Sequence, residues 1–175
     1  MLLKCCANTK DNMTTSKLNN DQLKQTFVHN LNRMYYGKLY LEGHMSTLIN
    51  AASFNALKMA LTEMHQDVKN QISRMADIYT LINEMPEDVR NNPIKSIVKD
   101  EFCLKTSLET PVVNDMDIIL YVQILEHINI TAYRLMKMTA PVLNTNEVEQ
   151  LLTECFDESV DDDQLFVLIT KEYIG

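Results

Sequence analysis

Glycine and proline are scarce in this sequence, with three glycines and four prolines among 175 residues. Sandwiches, barrels and nucleotide-binding α/β folds use these residues at turns and in phosphate-binding loops, so their scarcity disfavours all three classes. It favours long helices with few connections. Tryptophan is absent and methionine is frequent, at 11 residues, which is typical of a helical core filled by flexible side chains.

Charge and hydropathy disfavour two classes of partner. No run of 18 apolar residues is present, so we expect no membrane-spanning helix. A net charge of −8 disfavours binding to nucleic acid, which depends on Lys and Arg meeting phosphates. The first six residues are too short an apolar stretch for a signal peptide, and the four cysteines show no Cys-x-x-Cys spacing. These features predict a cytoplasmic protein with reduced thiols.

Apolar side chains recur three and four residues apart in five segments, which predicts five helices. The predicted helices cover about residues 20–48, 54–83, 94–108 and 114–138, and the last begins near residue 144 with Glu147 as a capping partner. Residues 1–18 are polar and aperiodic and predict a disordered tail, followed by one domain at 19–175. The fold class predicted is an all-α, antiparallel four-helix bundle with an additional short helix between the second and third long helices.

Glu126 is the formally charged residue in the apolar middle of the fourth helix. A helix that is apolar on every side is expected to be central and buried, and a buried carboxylate is costly unless it is paired, protonated or bound to metal. Candidate partners from other helices are Lys38, Asp67, Glu158 and Asp162. Such a convergence forms either a di-metal centre or a buried salt-bridge network.

Motifs for other chemistry are weak. The sequence has no Gly-rich phosphate loop, no Gly-x-Ser-x-Gly, no His-Glu-x-x-His and no Glu-x-x-His pair on a helix. Cys155 and His127 could form a Cys–His pair, but Cys155 lies on an inner stripe and is predicted to be a packed thiol. Tyr35, Tyr36 and Tyr40 are predicted to be packing residues of the first helix.

Short groups of residues along most of the chain match the pattern of a known family. They are Phe27-Val28-His29, Leu31, Met34-Tyr35, Leu41, Ala51-Ala52, Leu57-Lys58, Ala60, Gln71, Arg74, Tyr79, Gln123, Glu126-His127, Ile130, Ala132-Tyr133, Leu151-Leu152 and Asp157-Glu158. On these residues the chain resembles a divergent member of the YciE/YciF-type ferritin-like proteins, which are stress-associated bacterial helical bundles. The resemblance implies a ferritin-like bundle, a stress-related role and a homodimer.

The positions where the family carries metal ligands are only partly kept. Lys38 stands where the first helix of the family has Glu, and Met64 and Asp67 stand where the second has His and Glu. Asn129 replaces the second Glu of the fourth-helix motif, whereas its first Glu is kept as Glu126. A Glu is also kept in the last helix, at position 158.

A di-metal centre needs bridging carboxylates to offset its positive charge. A lysine at position 38 removes one such carboxylate and adds a positive charge, so we expect its ammonium group to take over the electrostatic role of the metal. We therefore predict a buried polar cluster of Lys38, Asp67, Glu126 and Glu158, with Lys38 paired to Glu126. The function predicted is a non-catalytic or degenerate ferritin-like bundle without a cofactor.

Two alternatives remain open at this point. The first is a metal-binding protein with iron or manganese at Asp67, Glu126, His127 and Glu158, performing iron or peroxide chemistry. The second is a helical adaptor unrelated to ferritins, which would be favoured if Glu126 faced water. Self-association is also expected, because Tyr36, Leu39 and Tyr40 give the first helix more apolar surface than one stripe needs.

Overall fold

The structure, a computed structural model, describes residues 17–99 and 111–175. Within these ranges the chain forms four long helices and one short one, joined by short connections. They are α1 (Asn20–Ala51), α2 (Asn55–Ile82), α3 (Pro93–Lys99), α4 (Pro111–Thr139) and α5 (Asn146–Ile174), with a 3-10 turn at Ala140–Leu143. Residues 1–16 of the predicted tail and the predicted third helix beyond Lys99 lie outside the described residues.

The long helices pack around one apolar core. α1 packs against α2 and α4, α5 packs against α2 and α4, and α3 lies mainly against α1. The core is built from Phe27, Leu31, Leu41, Leu57, Leu61, Met64, Val68, Ile118, Val122, Leu125, Tyr133, Leu152 and Phe166 with their neighbours. The predicted fold class, an antiparallel four-helix bundle with a short helix between the second and third long helices, is confirmed.

α1 begins at a capping box and runs without interruption. The Asn19 side chain accepts a hydrogen bond from the Gln22 backbone N–H at 2.9 Å, and the Gln22 side chain accepts one from the Asn19 N–H at 3.0 Å. The helix continues through Gly43 and ends at Ala51. α2 ends at Ile82, where Asn83 takes a left-handed conformation with φ 54°.

α3 lies so close to α1 that a glycine is needed between them. A Cβ atom on Gly37 would stand 2.8 Å from Ile94 Cδ1 and 2.9 Å from Ile94 Cβ. Asn92 fixes this junction, because its side-chain amide donates to the Arg33 carbonyl oxygen at 2.6 Å while its Oδ1 accepts from the Ile94 N–H at 3.1 Å. Gly37 therefore sets the distance between the two helices.

The capping residues predicted for the fourth and fifth helices, Asn114 and Asn144, are not the N-caps of these helices. Residues 111–113 are already helical, so Asn114 lies inside α4 and is not its N-cap; the Asn114 amide instead donates to the Ala51 carbonyl at 3.1 Å. α5 begins at Asn146, because Asn144 has a left-handed φ of 55° and ends the 3-10 turn. No capping side chain reaches the α5 backbone from Thr145.

Asp115, near the start of α4, holds the turn between α1 and α2. Its carboxylate accepts from the Ser53 N–H and hydroxyl, both at 2.7 Å, from the Phe54 N–H at 2.9 Å, and from the Tyr173 hydroxyl at 2.5 Å. Burial alone would raise the pKa of Asp115, but these hydrogen bonds outweigh it and lower the pKa below its usual value. One side chain thus joins the α1–α2 turn, α4 and the end of α5.

α4 is not buried on every side, so that prediction is wrong. One face, which includes Ile118, Val122 and Leu125, is fully buried in the bundle. The opposite face is exposed although it is apolar, with Leu120 and Met138 at its two ends. None of the helices in the described ranges combines the length and the hydropathy that crossing a bilayer would need.

Candidate functional site

The interior of the bundle contains a set of buried polar side chains, which we call the inner polar cluster. Each of the four long helices contributes at least one member. Its members are Lys38 from α1, Gln71 from α2, Glu126 and Asn129 from α4, and Ser159 and Asp162 from α5. Sequence reasoning named Lys38, Glu126 and Asp162 as candidates, and all three are buried.

Glu126 is fully buried and takes its hydrogen bond from its own helix. Its Oε2 accepts from the Asn129 amide at 3.0 Å, whereas its Oε1 has no hydrogen-bond partner within the described ranges. The same is true of Lys38 Nζ. No hydrogen bond therefore joins Lys38 to Glu126, and the one that Glu126 accepts comes from Asn129, one turn along α4. The electrostatic pairing of Lys38 with Glu126 stays a prediction.

Asp162 is the member of the inner polar cluster whose pKa is shifted by burial and by several charged neighbours. Burial, and then the nearby carboxylates of Glu126, Asp67 and Glu63, raise its pKa from 3.8 to about 8, while Lys38 acts in the opposite direction. The carboxyl group therefore carries a proton at neutral pH. Lys38 and Glu126 both lie close enough to Asp162 to shift its pKa.

Glu158 and Asp67, two predicted members of the buried cluster, lie at its edge. Glu158 is half-buried and its Oε2 accepts from Arg74 Nη1 at 2.8 Å, while Arg74 Nε donates to Glu154 at 2.8 Å. Asp67 is also half-buried, and its pKa is raised by burial and then by Glu158. The buried position expected for Glu158 is filled by Asp162, one helical turn further along α5.

His127 lies outside the bundle, with 68% of its side chain exposed. Its Nε2 stands 3.7 Å from Asp163 Oδ1, on the outer surface between α4 and α5. Cys155 is fully buried, and burial raises the pKa of its thiol to about 11. Cys155 and His127 therefore do not form the pair that the sequence allowed, because Cys155 points into the core and His127 points into solvent.

The tyrosines of α1 pack within the chain. The Tyr35 ring lies edge-on to the rings of Tyr36 and Tyr79, with centroids 5.5 and 5.4 Å away. Tyr40 lies against the His44 ring, with centroids 4.5 Å apart. Leu39 is the one of the three predicted surface residues that is exposed; Tyr36 and Tyr40 are half-buried.

The residues present do not fit a di-metal centre. Among residues 17–99 and 111–175 no three His, Cys, Asp or Glu side chains converge in an arrangement that could hold a metal ion. Of the four residues proposed as ligands, His127 points outward, Glu158 is bound by Arg74 and Asp67 is half-exposed. Only Glu126 of these four is fully buried. The condition that would favour an adaptor, Glu126 in water, is also not met.

Sequence reasoning did not single out three buried side chains of the bundle interior that carry polar atoms: Gln71, Tyr133 and Ser159. The Tyr133 hydroxyl, at the centre of the bundle, donates to Gln71 Oε1 at 3.1 Å. Ser159 is fully buried on the inner stripe of α5, between Cys155 and Asp162. The spacing of these three α5 residues, four and then three positions apart, was the signal that could have found Ser159 and favoured Asp162 over Glu158.

Four long helices with a short one inserted after the second define an all-α bundle with the YciF fold. The chain belongs to the family described as Domain of unknown function (DUF892), whose model matches residues 22–174.

Two solved structures share the fold. The E. coli stress protein YciF matches with a TM-score of 0.80 and 20% identity, over 87% of this chain and 96% of YciF. The protein YcfI from Rhodopseudomonas palustris matches with a TM-score of 0.75 and 21% identity, over 88% of this chain and 96% of YcfI. A comparison with curated protein sequences gives no match.

Proposed function

We propose that this protein is a non-catalytic, degenerate ferritin-like bundle in which a lysine and carboxyl groups take the place of a di-metal centre. The observation that carries this proposal is the complete burial of Lys38 in a region that also buries Glu126 and Asp162. An ammonium group at this position supplies positive charge to the carboxyl groups without a metal ion. The exposed His127 and the Arg74-bound Glu158 support the same conclusion.

Metal analysis tests this proposal against its alternative, a protein with iron or peroxide chemistry at Asp67, Glu126, His127 and Glu158. The protein is purified without chelator and its iron and manganese are measured per chain. Thermal unfolding is then followed with and without added Mn²⁺ or Fe²⁺, because an ion that binds only the folded state raises Tm. We expect metal far below one ion per chain and no rise in Tm.

The Glu126→Gln variant is the control for that measurement. Stoichiometric iron or manganese in the parent protein that is lost in Glu126→Gln would overturn the proposal. Metal that is bound equally by both proteins would indicate an outer-surface site and leave the inner cluster metal-free.

We also propose a stress-related role in the cytoplasm, supported by the fold shared with YciF, which is a stress protein of E. coli. The test is the abundance of the protein in its source cells during osmotic and oxidative stress, measured by quantitative mass spectrometry. An increase of several-fold is expected. Constant abundance under both conditions would contradict this role.

A homodimer is proposed as the working form. The exposed apolar surface of α4 supports it, since large apolar patches on a folded chain are commonly contact surfaces. Light scattering of the purified protein is expected to give twice the chain mass of 20.2 kDa.

A further inference from the structure

The outer face of α4 differs from the solvent-facing side of an ordinary bundle helix. Leu120, Ile124, Leu135 and Met138 are exposed by 52, 38, 40 and 74% of their surface. They recur over five helical turns, a stripe about 27 Å long at a rise of about 1.5 Å per residue. Between residues 120 and 138, Arg134 is the one exposed side chain with a permanent charge. A helix of this composition is normally covered on both sides.

A concave groove of about 480 Å³ lies beside the middle of this stripe. α4 contributes Ile124, Ile128 and Leu135 to its walls, while Pro93 and Ile94 of α3 and Met34 of α1 close the other side. The convex apolar helix and the apolar groove therefore lie side by side on one surface. Such a surface can accept the apolar side chains of a partner.

The spacing of the stripe is self-complementary when two copies of α4 lie antiparallel. Leu120 and Met138 are each nine residues from Asn129, at opposite ends of the stripe. Ile124 and Leu135 are five and six residues from the same position. A two-fold axis near residue 129 therefore places Leu120 of one copy opposite Met138 of the other, and Ile124 opposite Leu135. A two-fold dimer requires this kind of surface, in which the same patch serves both copies.

Charge at the ends of the stripe favours the same orientation. Asp117 lies at the amino-terminal end, and Arg134 and Lys137 lie toward the carboxyl-terminal end, where both stand over the Phe156 ring. An antiparallel pair brings the acidic end of each helix to the basic end of the other, and it also aligns the two helix dipoles favourably. A parallel pair would place like charges together.

We infer that the outer face of α4 is the surface on which a second copy of this chain binds, antiparallel and centred near residue 129. This inference rests on the proposed homodimer and names its contact surface. The partner is a second copy because the apolar spacing and the end charges both match this helix to itself.

Paired surface variants test the inference. Leu135→Glu places a charge within the proposed contact, opposite Ile124 of the other copy, and Leu168→Glu places the same charge on α5, where Leu168 is 61% exposed. Light scattering is measured over a dilution series, with circular dichroism as a check that both variants fold. We expect Leu135→Glu to weaken dimerisation at least 100-fold, while Leu168→Glu matches the parent.

The possible results distinguish a wrong oligomeric state from a wrong contact surface. A parent protein that is monomeric at all concentrations would overturn both the homodimer and its surface. A dimeric parent whose Leu135→Glu variant dimerises as strongly as Leu168→Glu would overturn the surface alone.

Cysteine cross-linking gives a readout that does not depend on weakening the dimer. In a variant whose native cysteines are replaced, Thr131→Cys lies beside the proposed two-fold axis, and the two thiols come within disulfide reach. Thr47→Cys, an exposed position on α1, is the matched control. Mild oxidation is expected to link Thr131→Cys into covalent dimers and to leave Thr47→Cys monomeric on a denaturing gel. Equal yields from the two variants would contradict the inferred surface.

Discussion

Lys38 is unusual at the scale of single residues, because lysine is almost never fully buried unless its charge is offset. The proton held by Asp162 at neutral pH explains how the inner polar cluster accommodates it. With Asp162 protonated, Glu126 is the other buried acidic side chain of the cluster that can offset Lys38. Of the three remaining members, Asn129 and Gln71 are held by hydrogen bonds to Glu126 and Tyr133.

Replacing Lys38 with Met tests this charge balance. The variant leaves the buried carboxylate of Glu126 without its nearby positive charge, and breaking a buried pair on one side costs about 3–5 kcal/mol. We expect the free energy of unfolding at pH 7, measured by urea denaturation, to fall by several kcal/mol. The double variant Lys38→Met/Glu126→Gln should recover most of that loss, since it removes both charges. A Lys38→Met protein as stable as the parent would show that the two residues do not offset each other.

Asp162 makes stability depend on pH in a defined direction. Its pKa is about 8 in the folded state and 3.8 as its ordinary value. Between these pH values the folded state holds a proton that the unfolded state has lost, so this group makes the protein less stable as pH rises from about 4 to about 8. The Asp162→Asn variant has no ionisable group at this position, so its free energy of unfolding does not fall in this way.

The measurement is the free energy of unfolding of both proteins at pH 5 and pH 9. The substitution is not expected to stabilise the protein at the lower pH. At pH 9 the Asp162→Asn variant should be more stable than the parent by a few kcal/mol, since one pKa unit corresponds to about 1.4 kcal/mol. A difference between the two proteins that does not change with pH would contradict the raised pKa.

The sequence predicts the buried residues of α4 better than those of α5, for a physical reason. Glu126 could be singled out on α4, as Lys38 could on α1, because each is a charged residue among apolar neighbours. α5 carries acidic residues at 157, 158, 161, 162 and 163, which cover much of the helix circumference at about 100° per residue. The acidic residues alone therefore do not decide between Glu158 and Asp162; their spacing from the inner stripe of Cys155, Ser159 and Phe166 favours Asp162.

At the scale of helices, the contact between α1 and α3 depends on Gly37. A Cβ atom at this position would come within 3.0 Å of Ile94 and Asn92, so one of these side chains would have to move. Gly43, two turns along the same helix, has no atom within 4 Å of its Cβ position.

The two glycines therefore predict opposite results from the same substitution. Gly37→Ala is expected to lower the free energy of unfolding by about 1–2 kcal/mol through overpacking. Gly43→Ala should raise it by roughly 0.5–1 kcal/mol, because alanine has the higher helix propensity and nothing is displaced. Thermal and urea denaturation of the pair measure this. A gain in stability from both substitutions would show that α3 does not pack tightly on α1.

The Asp115 carboxylate is expected to be the main polar contact that holds the α1–α2 turn. Asp115→Asn keeps the shape of the side chain but replaces an oxygen that accepts hydrogen bonds with an amide that donates them. We expect a loss of about 2–3 kcal/mol at pH 7. Asp117→Asn, two residues along α4 and half-exposed, is the matched control and should change stability by less than about 0.5 kcal/mol.

The pH dependence of that difference follows from the lowered pKa of Asp115. Its contribution is complete above the unfolded pKa of about 4 and is lost as pH falls through the lower folded value. The stability difference between the parent and Asp115→Asn should therefore shrink below about pH 4. A difference that stays constant down to about pH 2 would argue against the hydrogen-bonded carboxylate.

For the whole molecule, the apolar periodicity predicted the fold correctly because each long helix keeps one continuous inner stripe. It could not distinguish a central helix from a helix covered by a second copy, since both are apolar on all sides. α4 is of the second kind in our account, with Ile118 and Val122 in the core and Leu120 and Ile124 on the outside. The left-handed backbone at Asn144 was likewise invisible to periodicity, because helix starts are set by local backbone conformation.

A crystal structure with anomalous scattering data tests most directly whether Lys38 or a metal ion offsets the inner carboxyl groups. Crystals of protein produced with iron and manganese in the medium are measured at the absorption edges of both metals. The account predicts no anomalous peak inside the bundle and the Lys38 ammonium close to Glu126 and Asp162. Two bridged cations at that place, with Lys38 turned toward solvent, would contradict it.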